Sequence, residues 1–327
     1  MNLSFWLRNL LLALSLVTVG VQCAVAQDWP TKPVRIVVPY PPGTGPDIMA
    51  RLLAEKLATR TGQAFVVENK PGANAIIGTD FVAKSPPDGS TLLLTDRMTI
   101  AINPLLYKPL PYDPRRDLAG VSNVADVQLY LMVVGDFPAN TFKEFVAYAK
   151  ANPGKITFGT GGTGSVIHLN MEAVQSGAGI ELLHVPYKAF AEVVPAMLGG
   201  TVQATSGAVE AVQKLVDSKR IKLLAIGATS RSPVTPDVPT IREAGGTDDM
   251  LLSTSYTLHA RAGTPKSILN KISQDVTAVL ADPEVQKATK QRGQEAYGTT
   301  PEALEQRLDR DGAAVGRLVL ERNIKIQ

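Results

Sequence analysis

Two glycine-rich turns in this chain place free backbone N–H groups where a helix begins, and that chemistry suits an anion. The first is Gly43-Thr44-Gly45-Pro46-Asp47, between a β-branched run and an amphipathic stretch. Asp47 in the first helical turn is expected to cap the N–H groups there with its side chain. The alternative is a plain strand-to-helix turn that holds no ligand. The second turn, Gly159-Thr160-Gly161-Gly162-Thr163-Gly164-Ser165, follows the pattern G-x-G-x-x-G, so a dinucleotide site has to be weighed. The acid expected at the end of the next strand is missing, because His184 to Tyr187 stand there, and no Lys follows the last glycine as a phosphate loop requires. What remains is a neutral anion nest flanked by the hydroxyls of Thr160, Thr163 and Ser165.

Catalytic groupings are scarce. The histidines are His168, His184 and His259. His168 lies one helical turn after Ser165, which raises a nucleophilic pair as an alternative reading, a serine hydrolase. Such a pair needs a third orienting group and an oxyanion hole, and no G-x-S-x-G elbow occurs. A structural or orienting role for His168 is the simpler reading. No His, Asp and Glu cluster has metal-ligand spacing. Asp96-Arg97 after the third strand is read as a charged pair in a loop, and Arg97 either forks onto a ligand carboxylate or forms a salt bridge with an acid. No cofactor is implied.

The elements that must position these turns alternate. Val34 to Val38, Ala64 to Glu68 and Thr91 to Thr95 read as strands, with helices from Asp47 and from Ile76 to Lys84 between them. Val121 to Val134 is a long β-rich run able to pass from one lobe to another. Beyond it come helix Phe142 to Lys150, strand Lys155 to Phe158, helix Ser165 to Gln175 and strand Leu182 to Val185. The alternation continues through Ala191 to Leu198, Val202 to Thr205, Ala208 to Asp217 and Lys222 to Ile226. Ser253 to Ala260 is β-like and brings the chain back. Ser267 to Leu280, Glu284 to Arg292 and Pro301 to Arg317 close it with helices. The pattern predicts an α/β fold with largely parallel sheets. One lobe is discontinuous, residues 27–128 plus 256–327, and a second, 129–255, is inserted between two crossing strands with a cleft between the lobes.

The first 26 residues have the layout of a secretory signal: Arg8, an apolar run from Leu10 to Val19, and Ala24-Val25-Ala26 before cleavage. The run is too short to span a bilayer, which takes roughly 20 residues. Cys23, the one cysteine, would leave with it, which removes disulfides, zinc thiolates and cysteine nucleophiles. With 33 basic and 30 acidic residues the formal charge is +3, and losing Arg8 leaves 32 against 30, or +2. Nothing in that balance points to nucleic acid. The expected product is a near-neutral periplasmic protein.

The chain also resembles the Bug-type periplasmic solute receptors of tripartite tricarboxylate transporters, over essentially its whole length after the signal. The likeness runs through Trp29-Pro30-Thr31-Lys32-Pro33, Val38-Pro39-Tyr40-Pro41-Pro42-Gly43 and Glu68-Asn69-Lys70-Pro71-Gly72-Ala73. It continues at Ala101-Ile102-Asn103-Pro104-Leu105, Tyr112-Asp113-Pro114 and His184-Val185-Pro186-Tyr187-Lys188. Pro236-Asp237-Val238-Pro239-Thr240, Ala262-Gly263-Thr264-Pro265 and Ala281-Asp282-Pro283-Glu284 complete it.

The resemblance implies a type-2 periplasmic binding protein fold, two Rossmann-like lobes, and a small carboxylate ligand held largely by backbone N–H groups and waters. It also implies action as a monomer that serves a membrane permease or a sensor protein. Carried onto this chain, the ligand-binding positions are Tyr40, Gly43, Thr44, Gly45 and Asp47, with Ala73 and Asn74, in the first lobe. In the second they are Thr160, Gly162, Thr163, Gly164, Ser165, His168 and Ser206. Arg97 stands where the family loop is small and uncharged. The usual Gly-Gly is Gly43-Thr44, Tyr-Lys-Gly becomes Tyr187-Lys188-Ala189 before bulky Phe190, and a frequent Phe-Asp reads Ser206-Gly207. Loss of that acid argues for a ligand without an amino group.

Overall fold

The computed structural model describes residues 29–247, 250 and 253–321. The expected signal segment and Cys23 lie outside them.

β1 (Val34–Val38) is the run VRIVV, four of whose five residues are buried. Ile36 and Val38 point to one side of the sheet and Val37 to the other, and both sides are covered, so beyond exposed Arg35 the strand is apolar rather than alternating. α1 (Gly45–Thr61) follows, with Pro46 at its start, where a missing N–H costs nothing, and left-handed Gly62 (φ 71°) ending it. β2 (Phe65–Asn69), α2 (Ile76–Ala83) and β3 (Thr91–Asp96) complete the first three βα units. The segment after β3, read above as a loop, is a helix, α3 (Arg97–Leu106). Asp96 is its N-cap, accepting from the Met98 N–H at 2.8 Å. Burial of Met98 and Ile102 on one side and of Ile100 on another outweighs Pro104 near its end.

After the short α4 (Pro114–Asp117), the long β-rich run divides into β4 (Leu118–Val127) and β5 (Tyr130–Val134). The two belong to different sheets. The second sheet is built from β5, α5 (Phe142–Ala151), β6 (Thr157–Thr160), α6 (Val166–Ala178), β7 (Leu183–Pro186), α7 (Val193–Leu198), β8 (Ala204–Gly207), α8 (Gln213–Asp217) and β9 (Ile221–Ile226). β10 (Thr254–Arg261) returns the chain to the first sheet. α9 (Lys266–Leu280), α10 (Pro283–Lys290), the short β11 (Gln294–Ala296) and α11 (Pro301–Glu321) follow.

Among the described residues the first sheet has the order β11-β4-β10-β3-β1-β2 and the second β7-β6-β8-β5-β9. Each is mixed: β1, β2 and β3 run parallel, as do β6, β7 and β8, while β10, β4 and β5 run against their neighbours. Leu53 and Leu57 of α1 with Ile272 and Val276 of α9 cover one side of the first sheet. Val82, Ile100 and Tyr112 cover the other. The second sheet is sandwiched likewise, by Phe145, Met171 and Val174 on one side and Val193, Met197 and Val212 on the other. This is the two-lobed α/β architecture of periplasmic binding proteins.

The register determines where the working ends lie. Tyr256 pairs with Asp96 and Thr254 with Val127, so β1 and β3 end, β10 begins and β4 leaves along one edge of the first sheet. In the second sheet Tyr130 pairs with Gly207, so β6 and β8 end where β5 begins. The chain crosses between these two edges.

Candidate functional site

Both glycine-rich turns lie at this crossing. Val166 and Ile167 at the start of α6, and Ala208 after β8, pack against the core of the first lobe. At the start of α1 the approach is closer still. An atom at the Cβ position of residue 45 would lie 2.2 Å from Tyr256 Oη and 2.3 Å from Glu210 Oε1, so any side chain there would have to push one or both aside. Tyr256 comes from β10 and Glu210 from the 3-10 turn after β8.

The first turn is wired internally. Asp47, 2 % exposed, takes the Gly43 N–H at 2.9 Å, Arg51 on both oxygens at 3.1 and 2.9 Å, and Asn69 Nδ2 at 2.8 Å. Burial works against its charge, but the bonds from Arg51, Gly43 and Asn69 outweigh it and hold the carboxyl below the usual range. Asp47 therefore does not cap the helix start, as its position suggests. It ties down the loop in front, because its side chain turns back to Gly43, and the Gly45 and Asp47 N–H groups have no acceptor among the described residues. The Thr44 hydroxyl donates to the Pro41 carbonyl at 2.8 Å.

Tyr40 stands behind this turn. Its hydroxyl is 3.3 Å from Thr95 Oγ1 and 3.2 Å from Thr99 Oγ1, and accepts from the Asp96 N–H at 3.2 Å. Ala73 and Asn74 are left-handed (φ 47° and 49°), and Asn74 Nδ2 donates to Asn103 Oδ1 at 2.9 Å. The pair braces the end of β2 on α3. Arg97 is 4 % exposed and ion-paired with Asp311 of α11, with its Nη2 3.5 Å from the Ser253 carbonyl. Of its two expected roles it takes the salt bridge, with an acid far off in sequence rather than with Asp96.

In the second turn Ser165 is the N-cap of α6, its Oγ accepting the His168 N–H at 3.3 Å. Left-handed Gly164 (φ 79°) aims its N–H at His168 Nδ1, 3.1 Å away. That bond places the ring proton on Nε2, which faces Glu172 Oε1 at 3.5 Å. His184 meets Thr160 Oγ1 from β7 at 2.7 Å, and Thr160 Oγ1 also accepts the Gly162 N–H at 3.3 Å. The two imidazoles stack 4.2 Å apart, with Phe158 4.8 Å beyond His184. Burial, reinforced by the facing His184, pushes His168 down to about 4, and burial lowers His184 as well.

Thr160, Gly162 and Gly164 are thus spent on holding the loop's shape. The Val166 and Ile167 N–H groups find no acceptor among the described residues, nor does the Thr163 hydroxyl, and the Ser165 hydroxyl keeps its proton to donate. The same geometry gives the nucleophilic reading no support: His168 Nδ1 takes the Gly164 N–H and Nε2 faces Glu172, so neither ring nitrogen is aimed at Ser165 Oγ as a base. Ser206 is buried and accepts from Asn170 Nδ2 at 3.3 Å. Phe190 packs its ring on Gly207 and its backbone on Gly161, where added Cβ atoms would lie 2.8 and 2.9 Å away.

Three residues at the junction escape the sequence reading: Glu210, Tyr256 and Gln294. Gln294 Nε2 donates to Glu210 Oε2 at 2.7 Å, and Tyr256 Oη lies 3.5 Å from Oε1. Glu210 falls inside a stretch read as one helix, and only the turn at Val209–Ala211 directs it across the junction. The described residues contain no group of three or more His, Cys, Asp and Glu able to hold a metal, and no helix among them is long and apolar enough to cross a membrane.

The profile of the tripartite tricarboxylate transporter family receptor matches residues 49–324. Protein BugT of Bordetella pertussis is 34% identical over 287 residues, 87% of this chain and 88% of that protein. The structure of R. palustris Rpa4515 with adipate superposes with a TM-score of 0.86 at 30% identity, covering 91% of this chain and 99% of the other. MatC from Rhodopseudomonas palustris with bound malate gives 0.81 at 26% identity, covering 89% and 100%. With the two-sheet fold and the paired helix starts, these likenesses make one conclusion plain: the chain belongs to the tripartite tricarboxylate transporter receptor family.

Proposed function

We propose that this protein is a periplasmic receptor that captures a small carboxylate without catalysing any reaction, and that it acts as a monomer serving a membrane permease or a sensor. The observation that carries the reading is the meeting of two helix starts at one junction, each with unaccepted N–H groups. Gly45 and Asp47 supply them on α1, Val166 and Ile167 on α6, with the Thr163 and Ser165 hydroxyls beside the latter. Such donors suit two ends of one dicarboxylate. The adipate and malate found with Rpa4515 and MatC are of that class. Residues 27–128 with 256–327 would form one lobe and 129–255 the other, closing on the ligand.

Neither Ser206 nor Gly207 offers a charge to a ligand amine, so the preferred ligand is an organic acid without one. Phe190 over Gly161 and Gly207 narrows the second-lobe wall.

A thermal-stability screen against adipate, malate, aspartate, tricarboxylates and aromatic acids tests the reading. The expected result is a rise in Tm with one of the acids and no change in that acid. Turnover of an ester or amide, abolished in Ser165→Ala, would replace the receptor by a hydrolase.

A further inference from the structure

We propose that Glu210 is a specificity-determining residue of this site: it brings a carboxylate from the second lobe to the start of α1 in the first, so an anionic ligand group takes that helix start only as Glu210 takes up a proton from solvent. The inference rests on the carboxylate reading above.

The geometry is the argument. Glu210 Oε1 lies where a side chain of residue 45 would be, directly on the turn whose Gly45 and Asp47 N–H groups are unaccepted. Gln294 Nε2 donates to the other oxygen at 2.7 Å, and Tyr256 Oη stands 3.5 Å from Oε1. The charged and titratable groups facing this spot are few. Arg292 acts on Glu210 from a distance, and among the described residues no cation is within ion-pair reach of its carboxylate. Asp47 is neutralised by Arg51. Tyr40 and Asp96 stand behind Tyr256, whose own ionisation burial and the nearby Glu210, Asp96 and Tyr40 suppress, so Tyr256 stays a neutral phenol able to donate to Glu210.

Burial raises Glu210 to about 6 against the opposing pull of Arg292, Tyr256 and Gln294. A second carboxylate at the same helix start would raise it further, because two anions sharing one site cannot both stay ionised. The missing acid at Ser206-Gly207 is therefore not simply absent from the site. An acid three residues later reaches the opposite lobe and stands as a second anion at the helix start that the ligand carboxylate would take.

The test is calorimetric titration of malate and adipate into the processed protein at pH 6.5 and 8.5, where both probes are fully ionised. Each titration is repeated in two buffers of different ionisation enthalpy, to count protons. Binding should weaken by at least about tenfold over that interval, with uptake approaching one proton at pH 8.5. Glu210→Gln should bind more tightly than the parent at pH 8.5, with neither the pH dependence nor the uptake. Glu210→Asp, which keeps the charge, should retain uptake and serves where the glutamine variant folds poorly.

Binding by the parent that is flat with pH and takes up no proton would overturn the proposal and leave the carboxylate reading standing. So would aspartate binding more tightly than malate and losing that advantage in Glu210→Gln, since Glu210 would then pair with a ligand ammonium. Failure of every carboxylate probe at both pH values would sink the carboxylate reading and this proposal with it.

Discussion

Arg307 of the C-terminal helix α11 grips Asp126 at the end of β4, with Nη2 3.0 Å from one carboxylate oxygen and Nη1 3.0 Å from the other. Asp126 also accepts from Ser255 Oγ at the start of β10 and from Tyr297 Oη at 2.8 Å. The last strand of the outward crossing and the first of the return are thus fastened together by a helix some 180 residues later in the chain. Removing the guanidinium leaves Asp126 two donors but no cation. Arg307→Ala should destabilise the fold by about 2 kcal/mol, read as a lower midpoint of urea unfolding. Arg307→Lys, which cannot bond both oxygens in one plane, should recover only part of that loss.

Arg97→Ala separates the two roles weighed for that residue. Its partner Asp311 is left partly buried without an ion-pair contact, with only Arg307 and Arg310 acting on it from farther off, a loss of about 2 kcal/mol. Dicarboxylate affinity of the folded variant should change by less than about threefold. A large loss of affinity at unchanged stability would restore Arg97 to the ligand site.

Acid should weaken the protein through its histidines. Burial depresses His168 and His259 to about 4 from the usual 6.5. Between those values the unfolded chain binds protons that the folded chain refuses, so stability is full above pH 6.5 and falls as pH drops toward 4. The limiting loss is about 3 kcal/mol for each ring. Glu210, raised rather than lowered, acts in the opposite sense over part of this window. The measurement is therefore best made on Glu210→Gln, by urea unfolding between pH 7 and 4.5. A flat profile there would show that the rings take up protons without cost.

Gly45→Ala opposes helix propensity to packing. Alanine is the better helix former by about 1 kcal/mol. Its methyl group would nevertheless lie 2.2 Å from Tyr256 Oη and 2.3 Å from Glu210 Oε1. Affinity for a dicarboxylate should fall about tenfold or more while Tm changes little. Unchanged affinity would mean that the two sheets need not approach this closely.

The elements that the sequence made legible are those whose period and boundaries agree. Val34–Val38 is β-branched and ends at prolines, and α1 carries Pro46 in front and Gly62 behind. α3 was hidden because Thr99, Ile100 and Pro104 all argue locally against a helix, whereas its N-cap Asp96 and its buried face argue for it only in the folded chain. The break between β4 and β5 falls at Gln128-Leu129, neither of which interrupts a strand by itself. For the site, both anion-friendly turns were visible as glycine spacing. Which N–H groups stay free was not, because Asp47 and His168 each turn back to take one from the loop four residues before, and His184 from the next strand holds Thr160 Oγ1, which takes a third: side-chain directions that spacing does not reveal. Glu210 was invisible for the same reason: its direction is set by a 3-10 turn, not by the helical period in which it was read.

The split of one extended run into β4 and β5 also has a mechanical side. Only Gln128 and Leu129 separate a strand hydrogen-bonded into one sheet from a strand hydrogen-bonded into the other, and the Leu129 carbonyl is tied to the Gly227 N–H of the returning chain at 2.8 Å. With Asp126 clamped on one side and Tyr130 paired to Gly207 and Ile226 on the other, any swing of the sheets has a pivot about two peptides wide. A link that short leaves the sheets little room to slide past each other, so a change in the angle between them would fall on the backbone torsions of Gln128 and Leu129 and on the returning chain after Ile226.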